Sequence, residues 1–168
     1  MKKLFFFFLL LSVVFSCKKP EKYDIVPKIS FVDIPVKDTV DKLGNPIRRC
    51  VLTFSLIDGD GNIGFDEEDT ISPYQIDGAY YYNLLINMYK IVDGNGLPVD
   101  TPEIGTPFRF RTKHIEPIGQ NKTLKCTIYV NLDFDIPSSW DTVRFDFFMY
   151  DRALNKSNIV STPTLLMQ

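Results

Sequence analysis

CVLTFSLIDGDGNIG, from Cys50 to Gly64, is the stretch that decides the fold of this chain. Its first half alternates between apolar and polar side chains, and the apolar positions are Cys50, Leu52, Phe54 and Leu56. Alternation with a period of two predicts a β-strand with one buried face and one face toward solvent, as in an antiparallel sheet. The second half is an acidic loop in which three glycines allow sharp backbone turns.

Similar alternation recurs along the chain, whereas no long helical periodicity is present. It predicts about seven strands, at Ile29–Ile34, Arg48–Ile57, Tyr80–Val92, Phe108–Ile115, Leu124–Leu132, Val143–Met149 and Ser157–Leu166. Turn signals lie between them, and residues 36–45 and 58–78 are predicted to be loops. This pattern predicts an all-β fold, an antiparallel β-sandwich.

The charge of the chain is near zero overall but uneven along its length. The formal net charge is −2, and this value does not indicate nucleic-acid binding. Between Cys50 and Tyr89, however, there are seven acidic residues and no Lys or Arg. Like charges crowded on one loop repel, and a bound cation would relieve that repulsion.

The loop after the central strand offers oxygen ligands at alternate positions. Asp58, Asp60 and Asn62 have the one-three-five spacing of an EF-hand loop, but Ile63 stands where that loop needs glycine and Asp69 stands at its twelfth position. This loop is therefore not an EF-hand. It predicts a Ca²⁺ site, to which Asp66 would add a further ligand. The alternative is an acidic turn held by glycines and Asx hydrogen bonds.

The first residues resemble a bacterial lipoprotein signal. Lys2 and Lys3 precede an apolar run from Leu4 to Phe15, which is too short to span a bilayer, and Ser16-Cys17 follows. Phe15 departs from the usual small residue, as in the loose signals of Bacteroidota lipoproteins. The resemblance implies a signal peptide at 1–16, a lipidated tether at 17–28 beginning with Cys17, and a domain at 29–168. It places the protein in the cell envelope, most simply at the outer membrane, and the alternative is a cleaved secretory signal with a chance cysteine.

Two further segments resemble known proteins. FMYDRALNKSNIV is similar to the last hairpin of bacterial immunoglobulin-like and fibronectin-III-like domains. The combination of FSLIDGDGNIG with DTVRFDFFMYDRALNKSN resembles small Bacteroidota lipoproteins of unknown function. The resemblance implies an immunoglobulin-like topology and brings no established activity. In that topology the second and sixth strands run the same way, so the 58–69 loop and the Asp151–Asn158 loop meet at one end of the domain. We call this end the acidic pole, and Asp151 would complete the Ca²⁺ site there.

Two cysteines lie in phase with apolar strand positions. Cys50 and Cys126 are both expected to point into the core. The cell envelope permits disulfides, so the pair is a candidate bridge, but buried free cysteines are ordinary core residues.

Three functions remain open from the sequence. The first is a non-catalytic binding or structural module, anchored to the membrane by lipid, with an envelope protein as partner. The second is a surface glycan-binding lipoprotein that stacks sugars on Tyr74, Tyr80, Tyr81 and Tyr82. The third is a hydrolase that uses carboxylates of the acidic loop, although no nucleophile elbow, P-loop or zinc-protease motif is present and His114 is the only histidine.

Overall fold

The computed structural model describes residues 21–99, 108–138 and 140–167. The predicted signal peptide at 1–16 and Cys17 lie outside the described residues. Within the described ranges the secondary structure is β only, in ten strands. None of the described segments is a helix long and apolar enough to cross a membrane.

The first sheet is built on β3 (Pro46–Asp58), the strand predicted from the alternating stretch. On one side β3 pairs along its length with β7 (Leu124–Asp135), from Ile47 opposite Asp135 to Asp58 opposite Leu124. On the other side it pairs with β1 (Lys28–Asp33) and then with β2 (Val36–Val40). All pairs are antiparallel, and β1 and β2 act as one edge interrupted at Ile34-Pro35.

The second sheet is built on β4 (Leu84–Val92) and β8 (Thr142–Met149), which pair antiparallel. The outer side of β4 carries β5 (Asn95–Pro98) and β6 (Arg109–Phe110). The outer side of β8 carries β9 (Val160–Ser161) and β10 (Leu165–Leu166). The strand order of the two sheets is that of an immunoglobulin-like β-sandwich, which confirms the predicted fold class.

The core lies between the facing sides of the two sheets. The predicted apolar rows of β3 and β8 are fully buried: Cys50, Leu52, Phe54 and Leu56 are 0–1% exposed, and Val143, Phe145, Phe147 and Met149 are 0% exposed. Phe54 and Phe147 meet across the sandwich with ring centroids 5.1 Å apart. Tertiary packing thus uses the same alternation that predicted the strands.

Four predictions of strands or loops were wrong in their bounds. The strand predicted at Ser157–Leu166 is broken into two short strands, β9 and β10. Residues 36–40, predicted as loop because of their polar side chains, form β2 by pairing with β3. The strand predicted from Tyr80 begins only at Leu84, because the tyrosines before it lie in turns. The strand predicted at 108–115 is only two residues long, and Arg111 beyond it binds loop carbonyls instead of facing solvent.

The strand register excludes the candidate disulfide. Cys50 lies opposite Leu132, and Cys126 lies opposite Leu56, at the other end of the same strand pair. Six residues of strand separate the two positions, about 20 Å, whereas bonded cysteines have Cα atoms about 4.4–6.8 Å apart. Both are free thiols, with Cys50 buried and Cys126 half-buried.

Candidate metal centre

The acidic pole forms where β3 of the first sheet and β8 of the second sheet end side by side. Asp58 is the last residue of β3, and Asp151 follows the end of β8 by two positions. The backbone N–H of Arg152 donates to the carbonyl of Asn62 at 3.0 Å, so the two loops are bonded to each other. The predicted meeting of the 58–69 and Asp151–Asn158 loops is confirmed.

Three carboxylates converge at this pole. Oxygens of Asp58, Asp60 and Asp151 all lie within 4.8 Å of one another. Asp58 and Asp151 are 0% exposed. No Lys or Arg forms an ion pair with any of the three in the described part of the chain. Crowding of acidic groups away from water and without a counter-cation is unfavourable unless a proton or a metal ion compensates it.

Part of the cluster's bonding capacity is used by neighbouring amides. The backbone N–H of Asn62 donates to Asp58 Oδ2 at 3.0 Å, and Asn62 Nδ2 donates to Asp60 Oδ2 at 2.8 Å. Asn155 donates to both oxygens of Asp151, each at 2.7 Å. The remaining oxygens of the loop, Oδ1 of Asp58, Asp60 and Asn62, are buried and have no hydrogen-bond partner. Three orphaned acceptors in one loop are unusual, because buried polar atoms are nearly always paired.

The electrostatics of the cluster disfavour ionisation in the absence of a cation. Burial, together with the charges of Asp60 and Asp151, raises the pKa of Asp58 to about 7. Burial is also the main cause that raises the pKa of Asp151, although its hydrogen bonds from Asn155 act in the opposite direction. Both shifts have the direction expected of buried carboxyl groups that lack a neighbouring positive charge.

Two glycines let the loop fold tightly around the carboxylates. Gly61 has a φ of +67°, and a Cβ at this position would lie 2.1 Å from the carbonyl oxygen of Lys122. A Cβ at Gly59 would lie 2.5 Å from the carbonyl oxygens of both Tyr23 and Asp24. The Gly-Asp-Gly sequence is therefore required by close backbone contacts, and it aligns Asp60 between Asp58 and Asn62.

Asp66, predicted as a further ligand, lies outside the cluster. Its carboxylate accepts from Arg152 at 3.2 Å, and Asp69 accepts from the same guanidinium at 2.7 Å. Arg111 donates to the backbone carbonyls of Asp66 and Asp69, both at 2.9 Å. The acids of this loop therefore differ in their neighbours. Arg152 pairs with the carboxylates of Asp66 and Asp69, whereas Asp58 and Asp60 have no cationic partner among the described residues.

A turn signature links three loops of the chain. Asp41, Asp58 and Asp151 each stand four residues before an asparagine, and each accepts a hydrogen bond from that asparagine's backbone N–H. The repeated Asp-x-x-x-Asn pattern is visible in the sequence and would have marked Asn155 as a structural partner of Asp151. At Asp41 the turn is exposed and isolated, which shows that the signature alone builds a turn and no metal centre.

The tyrosines proposed as a sugar platform contact other side chains. Tyr74 packs on Phe65 with ring centroids 4.7 Å apart and donates its hydroxyl to the carbonyl of Arg152. Tyr80 packs edge-on against Tyr150, and the Tyr81 ring lies against the guanidinium of Arg111 at 5.1 Å. Tyr82 is 43% exposed. Tyr74, Tyr80 and Tyr81 therefore pack against the domain, whereas Tyr82 contacts Tyr81 and stays exposed.

A cavity of about 370 Å³ lies beside the pole and is lined by Phe65, Asp66, Glu67, Glu68, Arg111 and Lys113. The buried carboxylates Asp58 and Asp151 are not among its lining residues. His114, nearby, has its Nδ1 2.9 Å from the carbonyl oxygen of Ile63, a structural contact. The cavity is therefore separate from the buried carboxylate cluster.

Comparison of the chain with known protein families, with curated proteins and with solved structures finds no match.

Proposed function

We propose that this protein is a lipid-anchored, non-catalytic module of the cell envelope whose acidic pole binds Ca²⁺. The observation that carries the proposal is the buried cluster of Asp58, Asp60 and Asp151, with three orphaned oxygens and no internal cation. Anchoring through Cys17 to the outer membrane rests on the lipoprotein-like signal alone.

The chemistry of the donors favours a hard cation. The donors would be the carboxylates of Asp58, Asp60 and Asp151 and the carboxamide oxygen of Asn62, all of them oxygens. Calcium takes six to eight oxygen ligands at about 2.3–2.6 Å, so opposite ligands around one ion lie up to about 5 Å apart. The spread of the three carboxylates, within 4.8 Å, suits that shell. Thiolate and imidazole, which favour transition metals, are absent from the cluster.

The consequence of binding would be structural. Asp58 and Asp60 belong to the loop of the first sheet, and Asp151 belongs to the loop of the second sheet. A shared ion would therefore join the two sheets at one end of the sandwich. It would also replace carboxylate repulsion by attraction, which makes the pole a rigid surface for an envelope partner.

The test is thermal unfolding of the protein in millimolar Ca²⁺ and in chelator. A ligand present at 100 times its dissociation constant stabilises the folded state by about 2.7 kcal/mol. For a domain of this size that corresponds to a rise in Tm of about 5–10 °C. Asp58→Asn should abolish the rise, and in chelator it should melt above the wild type because it removes a repelling charge.

Asp41→Asn provides the matched control, since Asp41 occupies the same type of turn without neighbouring carboxylates. This variant should keep the full response to Ca²⁺. Equal melting temperatures of the wild type in Ca²⁺ and in chelator would contradict the metal site. The acidic pole would then be an acidic turn whose carboxyl groups share a proton. Titration with Mg²⁺ in place of Ca²⁺ would show which of the two ions the pole prefers.

A further inference from the structure

The sheet edges of this sandwich differ in how they are protected from other chains. The β1/β2 edge is interrupted at Ile34-Pro35, the β5 edge ends in Pro98, and the β9 and β10 edge consists of two-residue strands around Pro163. Short strands and prolines are the usual means by which proteins prevent edge-to-edge pairing. The fourth edge, β7, has twelve residues without a proline.

β7 pairs with β3 along one side, and on its other side it has no strand partner within the described residues. Its inner row is also incompletely covered at one end. Leu132 is 0% exposed and Phe134 is 8% exposed, whereas Leu124, Cys126 and Ile128 are only half-buried. The edge therefore offers both unpaired backbone groups and apolar side chains to a further strand.

The side chains of β7 are complementary to those of a second copy of β7. If two copies pair antiparallel about Val130, Lys125 of each copy lies opposite Asp135 of the other. In the inner row, Cys126 then faces Phe134 and Ile128 faces Leu132. Asp135 forms no ion pair with the described residues, and the bidentate pair of Arg49 with Asp133 is left intact. Lys125 has one ion-pair partner, the exposed Glu21 at 3.5 Å, for which Asp135 of the second copy would compete.

We propose that β7 is a homodimerisation edge and that its occupant is β7 of a second copy, in this register about Val130. The two first sheets then form one continuous six-strand-wide layer with a two-fold axis perpendicular to it. Directly opposite charges in such a pair have Cβ atoms about 4.5–5.5 Å apart and stabilise the register. The half-buried end of each inner row is covered by the well-buried end of the other.

The dimer also agrees with the path of the N-terminal segment. The Lys125 side chain lies over the ring of Tyr23 at 3.9 Å, on the outer face of the first sheet. Residues opposite one another in an antiparallel pair share a face, so both N-terminal segments leave from the same side of the joined layer. The two Lys125 residues are ten strand positions apart, about 34 Å.

The experiment uses full-length chains with two different C-terminal tags, co-expressed and solubilised in detergent, and asks whether one tag retrieves the other. Wild-type chains should co-purify. In a dimer of two Asp135→Lys chains, a lysine faces a lysine at both 125–135 pairs. In a dimer of two Lys125→Asp chains, an aspartate faces an aspartate at both pairs. Each variant should lose at least nine-tenths of its self-association.

Co-expression of Asp135→Lys with Lys125→Asp restores opposite charges at both pairs, so these two variants should retrieve each other as the wild type does. If the single variants failed to associate because they were misfolded, co-expression would not restore retrieval. If retrieval only reflected two chains in one detergent micelle, the like-charged combinations would be retrieved as well as the wild type. Lys42→Asp, in the β2–β3 turn, makes the same charge change away from β7 and should co-purify normally. The proposal would be overturned if wild-type chains failed to associate, or if the like-charged variants associated as the wild type does. In either case the occupant of the β7 edge would be something other than a second β7.

The proposal does not rest on the cation. Retrieval is measured in Ca²⁺ and in chelator, and the expected pattern is the same in both. A change in Tm with Ca²⁺ without retrieval would support the metal centre and reject the dimer. Retrieval without a change in Tm would support the dimer and reject the metal centre.

Discussion

Asp58 shows how a single residue can be predicted in type and position but not in its environment. Its place at the end of an alternating strand, followed by Asp60 and Asn62, could be recognised from the sequence. The sequence could not show that Asp66 would form an ion pair with Arg152, because the two residues are distant along the chain. The inner and outer acids are distinguished only by which of them tertiary contacts bring to an arginine.

The raised pKa of Asp58 makes a prediction about pH. Its pKa in the folded protein is about 7, above its value in the unfolded chain of about 3.9. The protonated form is thus favoured by folding, and its stabilisation is present below about pH 4 and is lost as the pH rises through 7. Asp151, whose pKa is also raised, acts in the same direction.

In chelator, the free energy of unfolding should therefore fall between pH 5 and pH 8, by up to about 1.4 kcal/mol per pH unit. Because Ca²⁺ competes with the proton, the stabilisation that it gives should grow over the same range. Melting curves at several pH values, with Asp58→Asn as the comparison, measure both effects. A metal-free Tm that rises steadily from pH 5 to pH 8 would contradict the assignment of this pKa to a buried, uncompensated carboxyl.

At the level of strands, alternation predicted the central elements well and the edges poorly. β3 and β8 carry apolar rows that are buried on one face, so their own side chains define them. β2 consists of Val-Lys-Asp-Thr-Val and exists because β3 offers it backbone partners, with Asp38 bound to Arg48 at 2.6 Å. Edge strands of this kind depend on pairing more than on their own pattern, which is why the sequence did not reveal β2.

The register of β3 and β7 makes a prediction about thiols. In a Cys17→Ser variant that has been denatured without reduction, titration with a thiol reagent should find two reactive groups, since Cys50 and Cys126 lie too far apart to bond. In the folded protein Cys126 should react first, because burial raises the pKa of Cys50 to about 12 and leaves that side chain 0% exposed. Cys126→Ser should remove the faster phase. A denatured chain without free thiols would show that the register is wrong.

At the scale of the whole molecule, the acidic pole lies beside the N-terminal segment. The carbonyl of Asp24 accepts from the backbone N–H of Gly59 at 2.8 Å, next to Asp58. Lys125 also forms an ion pair with Glu21 at 3.5 Å. The final residues of the predicted tether therefore pack on the domain. Cys17 is only four residues before Glu21, a reach of about 14 Å when extended, so a lipid on Cys17 would hold the pole close to the membrane surface.

This arrangement gives the last prediction, which concerns the anchor. Replacement of Cys17 by Ser should move the protein from the detergent-extracted membrane fraction into the soluble fraction of the envelope, because a lipid on that cysteine is the proposed attachment. Cys126→Ser, the same change at a cysteine inside the fold, should stay with the membrane. The released protein should keep its melting temperature and its response to Ca²⁺, since the change leaves the proposed ligands Asp58, Asp60 and Asp151 in place. A Cys17→Ser protein that is processed at the same point and still requires detergent for extraction would disprove lipidation and leave the acidic pole as a feature of a domain held to the envelope by other contacts.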